Sequence, residues 1–124
     1  MKSLAQPAPA PAATLSRATV TAADLLGVSQ AELAPILGLS PATISRMANG
    51  QYLLNPSSKE WQLAALFVRL FRSLDSLTGG NDAHSRAWLR SPNHDLEAIP
   101  ATLLADVSGL VRVVQYLDAC RALG

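Results

Sequence analysis

Residues 27–50, GVSQAELAPILGLSPATISRMANG, stop and restart a helix twice, and this punctuation limits the possible folds more than any other feature of the chain. A first helix is expected from about Leu15 or Ala18 to Leu26, ended by Gly27, a residue that turns left-handed at little cost. Ser29 with Glu32 three residues on forms an S-x-x-E capping box, in which each side chain satisfies an orphan amide of the other residue. Gly38 closes that second helix. Ser40 then caps a third, with Pro41 at the first helical position, where a missing N–H costs nothing. Asn49-Gly50 ends it. Leu33, Ile36 and Leu37 on one helix, and Ile44 and Met47 on the other, are spaced to pack the pair together. Pro35 is at odds with its setting. It removes the bond to the Ala31 carbonyl, at about 3 kcal/mol in an ordinary helix interior, so a kink or an early 3₁₀ end is expected.

From about Ser57 to Leu77 a long helix is predicted whose apolar residues (Leu63, Leu66, Phe67, Leu70, Phe71, Leu74, Leu77) cover an arc wider than one packing face needs. Gln62, Arg69, Arg72, Ser73 and Ser76 form its polar stripe, and the wide arc implies packing on two sides. Thr78-Gly79-Gly80-Asn81 marks an internal boundary. Beyond it come a helix from Asp82 to about Arg90, a break at Ser91-Pro92-Asn93, a short helix opening at Pro100, and a last helix from near Ser108. In that helix Leu110, Val113, Val114, Leu117 and Cys120 share one face. No strand-like alternation occurs, so the expected fold is all-α: an N-terminal helix-turn-helix bundle continued through a long helix into a small helical C-terminal unit. The expected divisions are a flexible Pro/Ala tail over 1–13, a helix-turn-helix unit over 14–78 and a second helical unit over 79–124.

Composition narrows the function. Only 15% of residues are charged against 49% hydrophobic, in a chain of 124. Alanine accounts for much of the apolar share, and the excess implies that a partner or second copy covers part of the surface. A net charge of +1 excludes a general polyanion binder. Residues 1–79 are mildly basic and residues 80–124 mildly acidic, so one copy neutralises few phosphates and DNA binding would need several copies together. The single Cys120 forms no internal disulfide, the opening MKSLAQPAPAPAATL holds no continuous apolar run, and no segment approaches a membrane span. A soluble cytoplasmic protein is expected.

The order Ser-Gln-x-Glu-Leu-Ala…Leu-Gly-x-Ser…Ile-Ser…Asn-Gly over residues 29–50 resembles the Xre-type helix-turn-helix regulators related to phage repressors and Cro. That resemblance implies a DNA edge made of Ser29, Gln30, Ser40, Ala42, Thr43, Ser45, Arg46 and Asn49, with Gln30 holding a phosphate at the start of the first of the two helices. The departures are informative. Pro41 and Ala42 stand where such regulators place base-reading side chains, leaving Arg46 as the one long donor; a bidentate arginine on guanine contributes roughly 1–3 kcal/mol of discrimination. Base reading per copy is therefore sparse. Ala42 is left a thymine methyl at most. The competing account of the segment is a helical hairpin with no DNA contact.

Residues 83 to about 121 carry Trp88, Ser91-Pro92-Asn93, Leu96-Glu97, Pro100, Leu103-Leu104 and a closing helix through Val113, Leu117 and Asp118. In this they resemble the toxin-binding domain of the Xre/MbcA/ParS antitoxins. The chain departs from that pattern at Ala98-Ile99, where family members often have glycine before the proline, and at Asp106-Val107-Ser108 before Gly109. The resemblance implies an antitoxin that occludes the active site of a RES-domain, NAD-destroying toxin and binds the promoter of its own operon, with palindromic half-sites, as a homodimer and in larger complexes with the toxin. Trp88, Pro92, Asn93, Asp118, Arg121, Leu123 and Gly124 are the residues expected to meet the toxin, the end of the chain from Ala119 entering a concave pocket. Arg121, on the apolar side of the last helix, is expected to reach water or a partner's carboxylate.

Plainer roles compete at each position. Trp88 is equally an anchor for a core, Pro92-Asn93 a turn, and Cys120 a small buried residue. An enzyme is not expected: His84 and His94 have no second ligand at metal spacing, His94-Asp95 with Cys120 has no oxyanion signal, no glycine-rich phosphate loop occurs, and no cofactor is implied. Besides the antitoxin, two readings stand: a stand-alone repressor whose C-terminal half only dimerises, and a toxin-neutralising protein without useful DNA binding.

Overall fold

The computed structural model describes residues 10–123, which form six α-helices and one 3₁₀ turn. In order these are α1 (Pro11–Leu26), α2 (Gln30–Leu37), α3 (Pro41–Ala48), α4 (Lys59–Leu77), α5 (Asp82–Arg90), the 3₁₀ turn Pro100–Leu103, and α6 (Val107–Leu123). A single antiparallel bridge, Asn93 with Ala98, is the one β-type pairing among the described residues.

The stop signals between α1 and α4 act as their chemistry requires. Gly27 and Gly38 take left-handed φ values of 68° and 70° at the ends of α1 and α2. The Ser29–Glu32 capping box is formed in both directions, and the Ser40 side chain accepts the Thr43 amide. Two expectations need correcting. Helix α1 starts at Pro11 rather than at Leu15 or Ala18, because proline is at home in a first turn and the alanines after it favour helix. Of the tail expected over 1–13, residues 11–13 are therefore helical, and 1–9 lie outside the described residues. Helix α2 keeps α geometry through Leu37 despite Pro35. Ala31 and Pro35 are both exposed, so the bond that Pro35 cannot donate is lost at the surface rather than in the core.

Helix α4 packs on two sides as its wide apolar arc implies, against α1 and against α6, the latter being the most extensive helix pairing in the molecule. One continuous core results, in which Leu26, Leu33, Ile44, Phe67 and Leu70 join Leu89, Leu104, Leu110 and Leu117. Among the described residues the buried polar side chains are satisfied. Ser16 donates to the Ala12 carbonyl (2.6 Å) and accepts the Leu54 amide (2.9 Å), tying the loop after α3 to α1. Glu60 holds the same loop from α4 by accepting the Asn55 amide (2.9 Å) and the Tyr52 hydroxyl, and that bond pushes the Tyr52 phenol up to about 12. Ser73 is fully buried rather than part of a solvated stripe, and donates to Asp118. No helix of the described residues is long and apolar enough to cross a membrane.

Candidate nucleic-acid interface and partner face

Helices α2 and α3 meet through Leu33, Ile36, Leu37, Ile44 and Met47, all buried, and this turns their polar sides outward together. Ser29, Gln30, Ser40, Ala42, Arg46 and Asn49 are exposed, while Thr43 and Ser45 are half-buried. In front of α3 the hydroxyls of Ser40 and Thr43 lie 2.9 Å apart, and Arg46 donates to the Thr43 hydroxyl at 3.0 Å. The one long donor of the helix is thus parked on its own surface. An exposed bond of this kind contributes about 1 kcal/mol net, so a base edge competes with it readily. Pro41 and Ala42 present no side-chain donor beside it. Arg17 of α1 lines a depression with Met47, Gly50 and Tyr52, placing a second guanidinium near the end of α3 that the sequence pattern did not suggest.

At the start of α2 the Glu32 carboxylate serves two masters. One oxygen accepts the Ser29 amide (3.0 Å), and both accept from Arg90 of α5, at 2.6 and 2.8 Å. The guanidinium beside it, helped by the Ser29 amide, holds the Glu32 carboxyl down at about 2, and the same pair raises the Arg90 guanidinium. Arg90 also donates to the Gly27 carbonyl (3.0 Å) and Arg86 to the Leu25 carbonyl (3.1 Å), so two arginines of α5 cap the exposed end of α1. No sequence signal marks this contact, since it joins residues far apart in the chain.

A second face gathers around Trp88. Its ring stacks on Tyr116 of α6, with centroids 6.3 Å apart and planes at 18°, and both rings are half-buried. The Tyr116 hydroxyl donates to Asp95 (2.8 Å), a bond that raises the Tyr116 phenol. Asn93 and Ala98 exchange backbone bonds of 2.9 and 3.3 Å, the Asn93 side chain accepts the Leu96 amide (2.9 Å), and Glu97 closes the loop in the left-handed region with φ 56°. Tyr116 and Asp95, which the sequence pattern did not single out for this face, thus join Trp88 and the loop that holds Asn93. Asp95 is engaged with a phenol rather than with His94 and Cys120.

Asp118 and Arg121 also make bonds within the chain. Asp118 accepts from Arg69 (2.6 Å) and from Ser73 (2.9 Å), and Arg121 donates to Ser73 (3.2 Å). Both brace α6 against α4, on the border of the buried stripe opposite Tyr116. Arg121 is exposed and also donates to an internal hydroxyl. Leu123, two turns beyond Tyr116 and on its side of α6, is 91% exposed. Gly124 lies outside the described residues. A depression of about 680 Å³ between α1 and α4, lined by Trp61, Val68, Arg69 and Arg72, takes in Arg121 at its edge and includes neither Trp88 nor the residues of α2 and α3.

A helix-turn-helix with its polar side outward, sharing one core with a second helical unit, has the architecture of a DNA-binding regulator with an added C-terminal unit. Residues 5–69 match the antitoxin Xre-like helix-turn-helix domain, and residues 73–122 match the antitoxin Xre/MbcA/ParS C-terminal toxin-binding domain. The chain belongs to the Xre-like antitoxin family, and the interval between the two matches falls inside α4. No curated protein matches the chain.

Proposed function

We propose that this antitoxin neutralises a RES-domain toxin that destroys NAD, covering the toxin's active site with the Trp88–Tyr116 face and the end of α6, and that it represses its own operon by binding promoter DNA. The observation that carries the reading is the stacked, half-exposed aromatic pair beside the Pro92-Asn93 loop, with exposed Leu123 on the same side. Aromatic groups that are held in place yet open to solvent are the material of binding hot spots, since they bury large area at little entropic cost. Asp118 and Arg121 support the face from behind by fixing α6 on α4. Residues 79–124 serve the toxin and 14–78 the DNA.

On the DNA, Gln30 meets a phosphate, while Ala42, Thr43, Ser45 and Arg46 enter the groove, flanked by Ser29, Ser40 and Asn49. Such sparse contact needs paired half-sites about one helical turn apart, so the protein acts as a cytoplasmic homodimer, and larger assemblies with the toxin raise its effective concentration on the promoter. No catalytic step and no cofactor is assigned to it.

The reading frame beside its gene is expected to encode a RES domain, and co-expression with that neighbour tests the proposal. The neighbour alone should deplete cellular NAD and arrest growth, and the antitoxin should restore both. Removing residues 119–124 should abolish relief while promoter binding persists. A neighbour that leaves NAD intact, or an arrest that full-length protein does not relieve, contradicts it.

A further inference from the structure

The helix-turn-helix carries no net charge of its own: between residues 11 and 58, Arg17 and Arg46 balance Asp24 and Glu32. Both carboxylates belong to the neighbourhood of α2's N-terminus. Asp24 lines a depression with Ser29 and Gln30, and Glu32 sits in the first turn of the same helix. A polyanion approaching Gln30 would meet two negative charges there, and helix α5 changes that balance. Its Arg86 and Arg90, one turn apart on one side of a helix of 9 residues, reach the α1–α2 corner, where Arg90 pairs with both Glu32 oxygens and Arg86 lies against Gly27. Trp88 lies between them in sequence and on the other side of the helix.

Resting on the DNA-binding reading above, we propose that Arg90 is a positioning residue for DNA binding: from within the toxin-binding unit it neutralises Glu32, so that Ser29 and Gln30 can be met by a backbone phosphate. Arg86 adds a second positive charge at the same corner. The C-terminal half thereby completes the electrostatics of the N-terminal half, and the DNA-facing charge belongs to the whole chain. Binding governed by phosphate neutralisation depends steeply on salt, and one uncompensated carboxylate in the interface lowers the effective number of neutralised phosphates by about one.

Full-length protein, titrated by fluorescence anisotropy into a labelled duplex from its own promoter and into a random duplex of equal length, at 50 and 200 mM salt, provides the test. Arg90→Ala should weaken binding to both duplexes about tenfold at the lower salt and flatten the salt dependence by about one unit of slope. The double variant Glu32→Gln with Arg90→Ala should recover to within about threefold of the parent, because glutamine preserves the capping box while removing the charge. Arg90→Lys should retain most of the affinity. A merely structural role for Arg90 would leave the double variant as weak as the single one, since both lack the clamp, and that result overturns the proposal, as does unchanged affinity in Arg90→Ala. Parent protein that binds neither duplex would overturn the DNA-binding reading itself.

Discussion

The α2–α3 edge and the Trp88–Tyr116 face are built by opposite means. Every helix end between Gly27 and Gly50 is set by residues within four positions of it: a left-handed glycine, a serine accepting an amide three residues on, a proline at a first turn. The second face has one local piece, the Asn93–Ala98 loop, and is otherwise assembled over long distances in the chain. Tyr116 reaches Asp95 across 21 positions, Asp118 reaches Ser73 across 45, and the first turn of α6 lies so close to the 3₁₀ turn that a side-chain carbon at Gly109 would come 2.1 Å from the Leu103 carbonyl oxygen. The recognition edge is thus a string of local decisions. The partner face exists only once the core has closed.

That contrast ranks the expected effects of substitution. Gly109→Ala should be the most damaging, costing about 3 kcal/mol of stability because backbone and not a flexible side chain occupies the space, read as a lowered urea midpoint. Since the two halves share one core, α2 and α3 should melt in the same transition; separate transitions would break the comparison. Arg46→Ala should leave the midpoint unchanged, as its guanidinium bonds only the Thr43 hydroxyl at the surface among the described residues, and should weaken promoter binding by about 2 kcal/mol with loss of preference at one base pair. Glu97→Gly relieves a left-handed φ of 56° and should stabilise the protein by about 1 kcal/mol, which sharpens the view that the partner face holds local strain imposed by the fold.

The Glu32–Arg90 pair gives a pH signature of similar or smaller size. Its folded pKa of about 2 lies below the ordinary 4.5, so its stabilisation is fully present above pH 4.5 and is lost as pH falls through about 2. With both side chains more than 40% exposed, screening reduces the contribution to about 1 kcal/mol. Between pH 5 and 2 the parent should lose that much more stability than Glu32→Gln; equal losses would mean the pair contributes nothing.

How much of this was legible in the sequence follows the same division. The boundaries at Leu26, Leu37, Ala48, Leu77 and Arg90 could be read because caps and glycines act within a turn. The start of α1 was misjudged because Pro11 serves a tail and a helical first turn equally well. Trp88, Pro92 and Asn93 stand out by their resemblance to a known pattern, and the DNA-edge residues by theirs, and the contacts assigned to them belong to the proposed function. Tyr116 was passed over because it borders the apolar stripe of α6, where an aromatic residue reads as core. The bonds of Asp118 and Arg121 to Arg69 and Ser73 of α4 could not be read, because they span more than forty positions. The Arg90–Glu32 clamp spans 58 positions and joins two segments that each look complete alone.

The central claim is that one core carries two separable faces. It is tested most directly by measuring toxin relief and promoter repression side by side in Trp88→Ala and Arg46→Ala, each confirmed folded by its urea midpoint. Loss of relief with repression intact in the first, and the converse in the second, is the result expected. If both activities fall together in each folded variant, or if Trp88→Ala relieves the toxin as well as the parent does, the division of labour between the two faces is wrong.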